Sequence, residues 1–311
     1  MPAKAASSAH QTHCPWEMAT TPSTTSALTP KPKLPLVARY ENIYNLPNIL
    51  TFSRLLATPL IGYLIIHDQH LYAFALFAYA GFSDLLDGWI ARKWHLQTVV
   101  GSVVDPMADK ALMTTLVGCL AVNGALPLPL AALILGRDAS LALAALYFRY
   151  ASLPRPKTFA RYWDFSLPSA EVHPTTVSKL NTFLQLLLIG TTMCVSLLHD
   201  AAATASAAGG LLLAVQELLG GPEGVARLVA GGQVVVAATT VWSGLEYAVK
   251  REAVKILGDD EALKKKQGVR GRMIIGTTFG SVAALALWLW VTQKGRKKEE
   301  EEEGGEDETA V

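Results

Sequence analysis

Six segments of this chain, at residues 46–66, 71–91, 107–125, 128–148, 177–197 and 228–249, are each predominantly apolar and about twenty residues long. An α-helix needs that length to cross a hydrocarbon layer about 30 Å thick. A membrane interior also admits only structures that satisfy their own backbone hydrogen bonds. The expected fold is therefore all-α, an integral membrane bundle of six transmembrane helices. A seventh C-terminal candidate, 273–291, carries no charged side chain. Composition agrees, since 51% of the 311 residues are hydrophobic and only 17% are charged, a balance shifted away from soluble domains. Several segments hold polar residues, which implies a bundle around an interior cavity rather than simple anchors. The Gly-broken stretch from Ala201 to Gly221 reads as a loop with a surface helix.

Three regions follow. Residues 1–45 are rich in Ser, Thr, Ala and Pro, with Glu17 and Glu41 as their acids, and such a segment has too little apolar surface to build a core. It reads either as a mitochondrial targeting leader, being Ser-rich and acid-poor, or as a plain tail, since Arg39 is its one arginine. Residues 46–250 form the membrane domain. Residues 251–311 comprise a basic linker, the 273–291 segment and an acidic tail that begins at Glu299. The net charge of +1 conceals this segregation and so says nothing of partners, and no nucleic-acid partner is expected. Lys31, Lys33, Arg39, Arg92, Lys93, Arg149, Arg155, Lys157, Arg161, Lys250 and Arg251 fall on one side of a six-span topology, so that side is expected to face a matrix or cytoplasm. Cys14, Cys119 and Cys194 have no metal-ligand spacing, and the pair His67 and His70 lies on the opposite side.

The basic side also carries DLLDGWIARKWHLQTVVGSVVDPMAD, residues 84–109. An isolated acid at bilayer depth costs roughly 2.5–3.5 kcal/mol even on lenient scales, so four aspartates require a neutralising partner. Asp84 and Asp87 are spaced i, i+3, and Asp105 and Asp109 i, i+4, so each pair shares one helix face across a short loop. Converging carboxylates suit a hard divalent cation whose shell substrate phosphates complete. Gly88, Ala91 and Gly101 remove bulk beside them, and Arg92 offers a planar phosphate donor. Taken pair by pair, a buried ion-pair network explains the same acids.

The complete spacing, D84-x2-D87-G88-x2-A91-R92-x8-G101-x3-D105-x3-D109, resembles the signature of the CDP-alcohol phosphatidyltransferase family at every specified position. The resemblance implies a six-helix membrane enzyme that transfers a phosphate-bearing fragment from a CDP-linked donor to an alcohol and releases CMP. It implies a divalent cation, Mg²⁺ or Mn²⁺ and two ions together, held by Asp84, Asp87, Asp105 and Asp109. Asp109 would also serve as general base, while Gly88, Ala91, Arg92 and Gly101 border the CDP moiety. The runs NLPNILTFSRLLATPLIGYLI, GRD at 136–138, LYFRYASLPRPKTFARYW and PTTVSKLNTFLQLLL resemble the eukaryotic CMP-forming cardiolipin branch of the family. That likeness implies CDP-diacylglycerol as donor, phosphatidylglycerol as acceptor and the mitochondrial inner membrane as location, with the site facing the matrix. It leaves homodimer formation open.

Two basic residues keep two readings. Arg137 either pairs with its neighbour Asp138 or reaches a lipid phosphate. Lys179 either snorkels to the interface or binds the acceptor phosphate. The alternatives to the whole reading are a phosphatidylglycerophosphate synthase, with glycerol 3-phosphate as acceptor, and a non-enzymatic cation carrier.

Overall fold

A computed structural model describes residues 45–94, 98–153, 162, 171–172, 175–198, 200, 204, 207–250, 254–255 and 261–309. The expected leader and the basic stretch Arg155, Lys157 and Arg161 lie outside the described residues. Seven long helices occur among those described: α1 Leu46–Ile66, α2 His70–Lys93, α3 Val99–Val122, α4 Leu128–Ser152, α5 Thr176–Leu198, then after the short α6 Ala207–Leu218, α7 Gly221–Val249 and α8 Glu261–Thr309. A two-residue antiparallel bridge pairs Glu171 with Lys255 and Val172 with Val254.

Five helices are long and apolar enough to cross a membrane: α1, α4, α5, α7 and residues 266–296 of α8. Helices α2 and α3 have 24 residues each, about 36 Å at 1.5 Å per residue, and fall short in apolarity because they carry the aspartate motif. The six expected segments thus form helices α1–α5 and α7 of an all-helical membrane bundle, four of them apolar enough to count as spans, and α8 adds a fifth span against α4 and α7. Several boundaries differ from the sequence reading; α7, for one, starts at Gly221 rather than at 228. Helix α3 starts at Val99, eight residues before the expected 107, because Thr98 caps it by accepting a hydrogen bond from Gly101 N at 3.0 Å. The Ala201–Gly221 stretch, where the sequence suggested a loop with a surface helix, contains α6, packed against α5 and α7.

Polarity is inverted relative to a water-soluble protein. Leu56, Leu85, Leu187, Trp242 and Leu287 are exposed, whereas Asn48, Thr51, Arg54, Asp87, Arg137, Asn181, Gln185 and Ser243 are buried. Lipid solvates the first group. Where the alternative is an unsatisfied group in hydrocarbon, the second group must pair inside the bundle. Asn181 Oδ1 accepts from Thr239 and Thr240 at 2.9 and 3.0 Å, and Gln185 Nε2 donates to Thr240 Oγ1 at 3.2 Å, tying α5 to α7. Apolar packing centres on Ile61, Ile65, Leu116, Leu120, Ile134, Ile189 and Met193.

Helix α8 belongs to the bundle through close backbone approach. It packs on α4 and α7, with Phe279 buried beside Leu133 and Ala286, and Ile275 beside Phe148 and Tyr247. A β-carbon on Gly244 would intrude on the Phe279 ring, and one on Gly136 on the Val282 methyls. Glycine lets the helices meet there, as small residues do between membrane helices. Gly244→Val is therefore expected to lower the thermal unfolding midpoint of purified protein by the equivalent of about 1–3 kcal/mol of overpacking. Gly280→Val, where no atom lies within 4 Å of the new β-carbon, serves as the control and is expected to leave it nearly unchanged. Equal effects of the two would refute the packing account of α8.

Candidate active site

The end of the bundle that holds the acids is built from the first half of α1, the end of α2 and the start of α3. Helix α1 turns Asn48, Thr51, Arg54 and Thr58 inward at helical spacing, and all four are buried. Each inward polar group has a defined partner. Thr98 Oγ1 donates to Asn48 Oδ1 at 3.1 Å, which locks the cap of α3 against α1. Thr51 Oγ1 donates to Asp105 Oδ1 and lies 3.1 Å from the Pro47 carbonyl oxygen. Thr58 donates to the Arg54 carbonyl at 2.9 Å.

Arg54 is the centre. Its side chain is 1% exposed, and Nη1 donates to Asp84 Oδ1 at 2.7 Å and to Asp109 Oδ1, while Nη2 donates to Asp87 Oδ2. Three motif carboxylates from two helices thus converge on one guanidinium supplied by a third. The fourth, Asp105, is held by Thr51. Asp87 is nearly closed off at 7% exposure, whereas Asp84 and Asp109 are 48% and 52% exposed. The cluster therefore has a buried floor and an open rim.

Four carboxylates against one guanidinium leave a formal excess of negative charge, and hard oxygen donors with excess negative charge suit a divalent cation. The donor chemistry fits such an ion. The arrangement differs from a closed ligand shell, since among the described residues no three carboxylate, imidazole or thiol groups stand gathered around one point. The Arg54 guanidinium lies between three of the carboxylates and is their cationic partner.

The remaining motif residues have distinct settings. A β-carbon on Gly101 would fall 2.7 Å from Asn48 Oδ1, so this glycine permits the close approach of α1 to α3. Arg92 is exposed near the end of α2, its guanidinium 3.5 Å from where a Gly88 β-carbon would lie. Ala91 is half-buried beside it.

Arg137, 2% exposed, pairs with Asp138 Oδ1 at 2.6 Å and donates to Ser178 Oγ at 2.6 Å and Ser243 Oγ at 2.8 Å. It thereby joins α4, α5 and α7. Asp138 also receives Lys110 Nζ at 2.7 Å, which draws the residue next to Asp109 toward α4. Lys179 is exposed in the first turn of α5, one residue from Ser178. Thus the four aspartates come together, whereas Arg137 is engaged in a network of its own. Asp68, His70, Asn123 and Gly124 line a separate pocket with Thr192 and Ser196 on the turns at the other end of the helices.

Arg54 is the residue that the sequence reading missed. Its signal was a lone arginine in an otherwise uncharged apolar span, which had to find an acid, in a chain whose densest acids lie on the next two spans.

Comparison with known proteins finds relatives over about half of the chain. Part of the chain is 59% identical over 150 residues to the "Cardiolipin synthase (CMP-forming) / mitochondrial hydrolase fusion protein" of Schizosaccharomyces pombe, covering 48% of this chain and 25% of that protein. It is 42% identical over 155 residues to the "Cardiolipin synthase (CMP-forming)" of Homo sapiens, covering 50% of this chain and 52% of that protein. A third relative, the chloroplastic "CDP-diacylglycerol--glycerol-3-phosphate 3-phosphatidyltransferase 1" of Oryza sativa, is 36% identical over 157 residues, covering 48% of this chain and 46% of that protein. The matched part spans about half the length of these relatives, or less. Residues 44–217, more than half of the sequence and the part that contains the whole aspartate cluster, match the CDP-alcohol phosphatidyltransferase family, and the chain belongs to that family.

Proposed function

We propose that this chain transfers a phosphatidyl group from CDP-diacylglycerol to phosphatidylglycerol, forming cardiolipin and CMP. The observation that carries the reading is the convergence of all four motif aspartates at one end of the bundle, two of them half-exposed on the rim. Greater likeness to proteins named cardiolipin synthase than to the rice glycerol-3-phosphate enzyme supports the acceptor. The setting proposed is the mitochondrial inner membrane with the aspartates on the matrix side, supported by the basic loops and the Ser-rich N-terminal stretch. Family membership argues against a passive cation carrier.

Enzymes of this family generally depend on a divalent cation. Here Asp84, Asp87, Asp105 and Asp109 would hold it, as Mg²⁺ or Mn²⁺ and as two ions. When bound, it would supply charge neutralisation on the phosphoryl oxygens. The protein's own groups do the rest. Asp109 on the open rim accepts the proton of the acceptor hydroxyl as that oxygen bonds to the phosphatidyl phosphorus. The bond from that phosphorus to the CMP oxygen breaks, and CMP leaves with the electron pair. Asp87 and Asp105, deeper in the cluster, stay fixed while the rim carboxylates meet substrate. Gly88, Ala91 and Arg92, on the last turns of α2, border the CDP moiety, with Arg92 free of bulk on its Gly88 side. Gly101 acts at one remove, by setting the spacing of α1 and α3.

A carboxylate is a weak base toward an alcohol, so positioning supplies much of the rate. Asp84→Ala, Asp87→Ala and Asp105→Ala are each expected to reduce CMP release to near background while the helical circular-dichroism signal persists. Asp109→Asn keeps size and polarity, and it is expected to lower kcat by roughly 10²–10⁴-fold with donor binding largely kept. Turnover of Asp109→Asn at the wild-type rate with saturating metal would exclude the base assignment.

For the acceptor, a soluble glycerol phosphate arrives from water, whereas phosphatidylglycerol enters sideways from the leaflet and brings its diester past fixed cations. Lys179, exposed at the start of α5, would make such a contact; Arg137 could join only by leaving part of its hydroxyl network. With radiolabelled CDP-diacylglycerol and a divalent cation, phosphatidylglycerol in liposomes is expected to support CMP release and yield a four-chain product. Lys179→Ala is expected to raise KM for phosphatidylglycerol more than for the donor, because it removes acceptor binding alone. Activity with glycerol 3-phosphate and none with phosphatidylglycerol would instead assign the phosphatidylglycerophosphate reaction, which the likeness to the rice enzyme keeps in view.

A further inference from the structure

We infer that Arg54 is the resident counter-cation of the carboxylate cluster and that metal entry is an exchange, in which a divalent ion displaces the Arg54 guanidinium from the centre it shares with Asp84, Asp87 and Asp109. This rests on the reading of the cluster as the metal site.

Electrostatics require some cation when metal is absent. Two like charges 4 Å apart repel by about 4 kcal/mol at an effective dielectric of 20, and four carboxylates gathered at the end of a membrane bundle multiply that repulsion. A guanidinium from the neighbouring helix relieves it without any ion from solution. The geometry shows that Arg54 does this for the group rather than for one partner, since its two terminal nitrogens reach Asp84, Asp109 and Asp87. Arg137 offers the contrast within the same molecule. Equally buried, it uses one carboxylate and two hydroxyls, and its carboxylate is also shared with Lys110.

The same geometry makes Arg54 and a metal ion mutually exclusive at that point. A planar fork with 2.7 Å contacts to Asp84 spreads the carboxylates around its rim, whereas a small hard ion needs their oxygens drawn onto one centre. Asp84 and Asp109, each about half-exposed, are open to an incoming ion. Asp105, which does not pair with Arg54, is already oriented by Thr51. Exchange would free guanidinium donors at the place where an anionic diphosphate arrives, and planar two-nitrogen donation suits phosphate oxygens. Arg54 is thus a positioning residue that keeps the metal-free site folded and sets how readily metal enters.

The test is Mn²⁺ binding to purified, metal-depleted full-length protein, read from the paramagnetic resonance signal of free Mn²⁺, together with the thermal unfolding midpoint with and without Mn²⁺. Arg54→Gln is expected to lower the metal-free midpoint, to bind Mn²⁺ roughly tenfold more tightly or better, and to show a larger Mn²⁺-induced rise in midpoint than the wild type. Arg54→Lys keeps a positive charge as a point without the fork, and is expected to bind Mn²⁺ more tightly than the wild type but by less. Should Arg54→Gln not fold, the lysine variant decides alone. A merely structural arginine would lower stability without tightening Mn²⁺ binding, so unchanged or weaker affinity in the variants overturns the exchange. Absence of Mn²⁺ binding in the wild type, or binding that survives Asp84→Ala and Asp105→Ala, overturns the metal-site reading itself and the exchange with it.

Discussion

A positive charge buried at the end of a membrane bundle has to be matched, and the pairing of Arg54 with Asp84, Asp87 and Asp109 decides how the first three helices sit. Removing one member of a buried pair typically costs about 3–5 kcal/mol, because the survivor is left uncompensated. The arginine on α1 therefore fixes the rotation of α2 and α3 about their axes: their acids must point at it, and the apolar residues on their other faces then meet lipid. Asn48, Thr98 and Gly101 set the distance between α1 and α3 by a hydrogen bond and a missing side chain. Rotation and spacing together bring the acids of two different helices to one place, and that convergence makes the site.

The second half of the bundle, α4, α5 and α7, obeys the same rule with different groups. Arg137, Ser178 and Ser243 join α4, α5 and α7, while Asn181, Gln185 and Thr240 continue the seam between α5 and α7. In hydrocarbon, apolar contact between helices offers little beyond what lipid tails offer, so packing and internal polar pairs carry the association. The Lys110–Asp138 bridge couples the two halves, because it runs from the residue beside Asp109 to the residue beside Arg137. Helix α8 is added by shape instead: Gly136 and Gly244 give it room for Val282 and Phe279.

Much of this was legible in the sequence. Length and apolarity gave the spans, because each buries or lipid-exposes a full helix, and the i, i+3 and i, i+4 acid pairs gave two converging faces. The start of α3 was missed because the cap that starts it, Thr98, lies in a polar stretch that a search for apolar runs passes over. Arg54 was missed for a related reason. The motif holds its own arginine, Arg92, and a reading confined to the motif finds its cation there, although Arg92 is exposed near the end of α2 and Arg54 lies inside the cluster. Contacts between residues 30 to 55 positions apart, such as Arg54 with Asp84 and Asp109, leave no periodic trace. The only clue is the energetic rule that an arginine in an apolar helix has a partner. Arg137 illustrates the limit: the adjacent Asp138 is visible in sequence, whereas Ser178 and Ser243 are not.

The central claim is that the four aspartates hold the metal through which this family's chemistry runs. Anomalous X-ray scattering at the manganese edge, from crystals of the Mn²⁺-loaded protein, tests it most directly. The account predicts density among Asp84, Asp87, Asp105 and Asp109, with the Arg54 guanidinium moved off the centre it occupies without metal. Arg54 still bridging Asp84, Asp87 and Asp109, with manganese bound elsewhere or nowhere under conditions that support turnover, would contradict it.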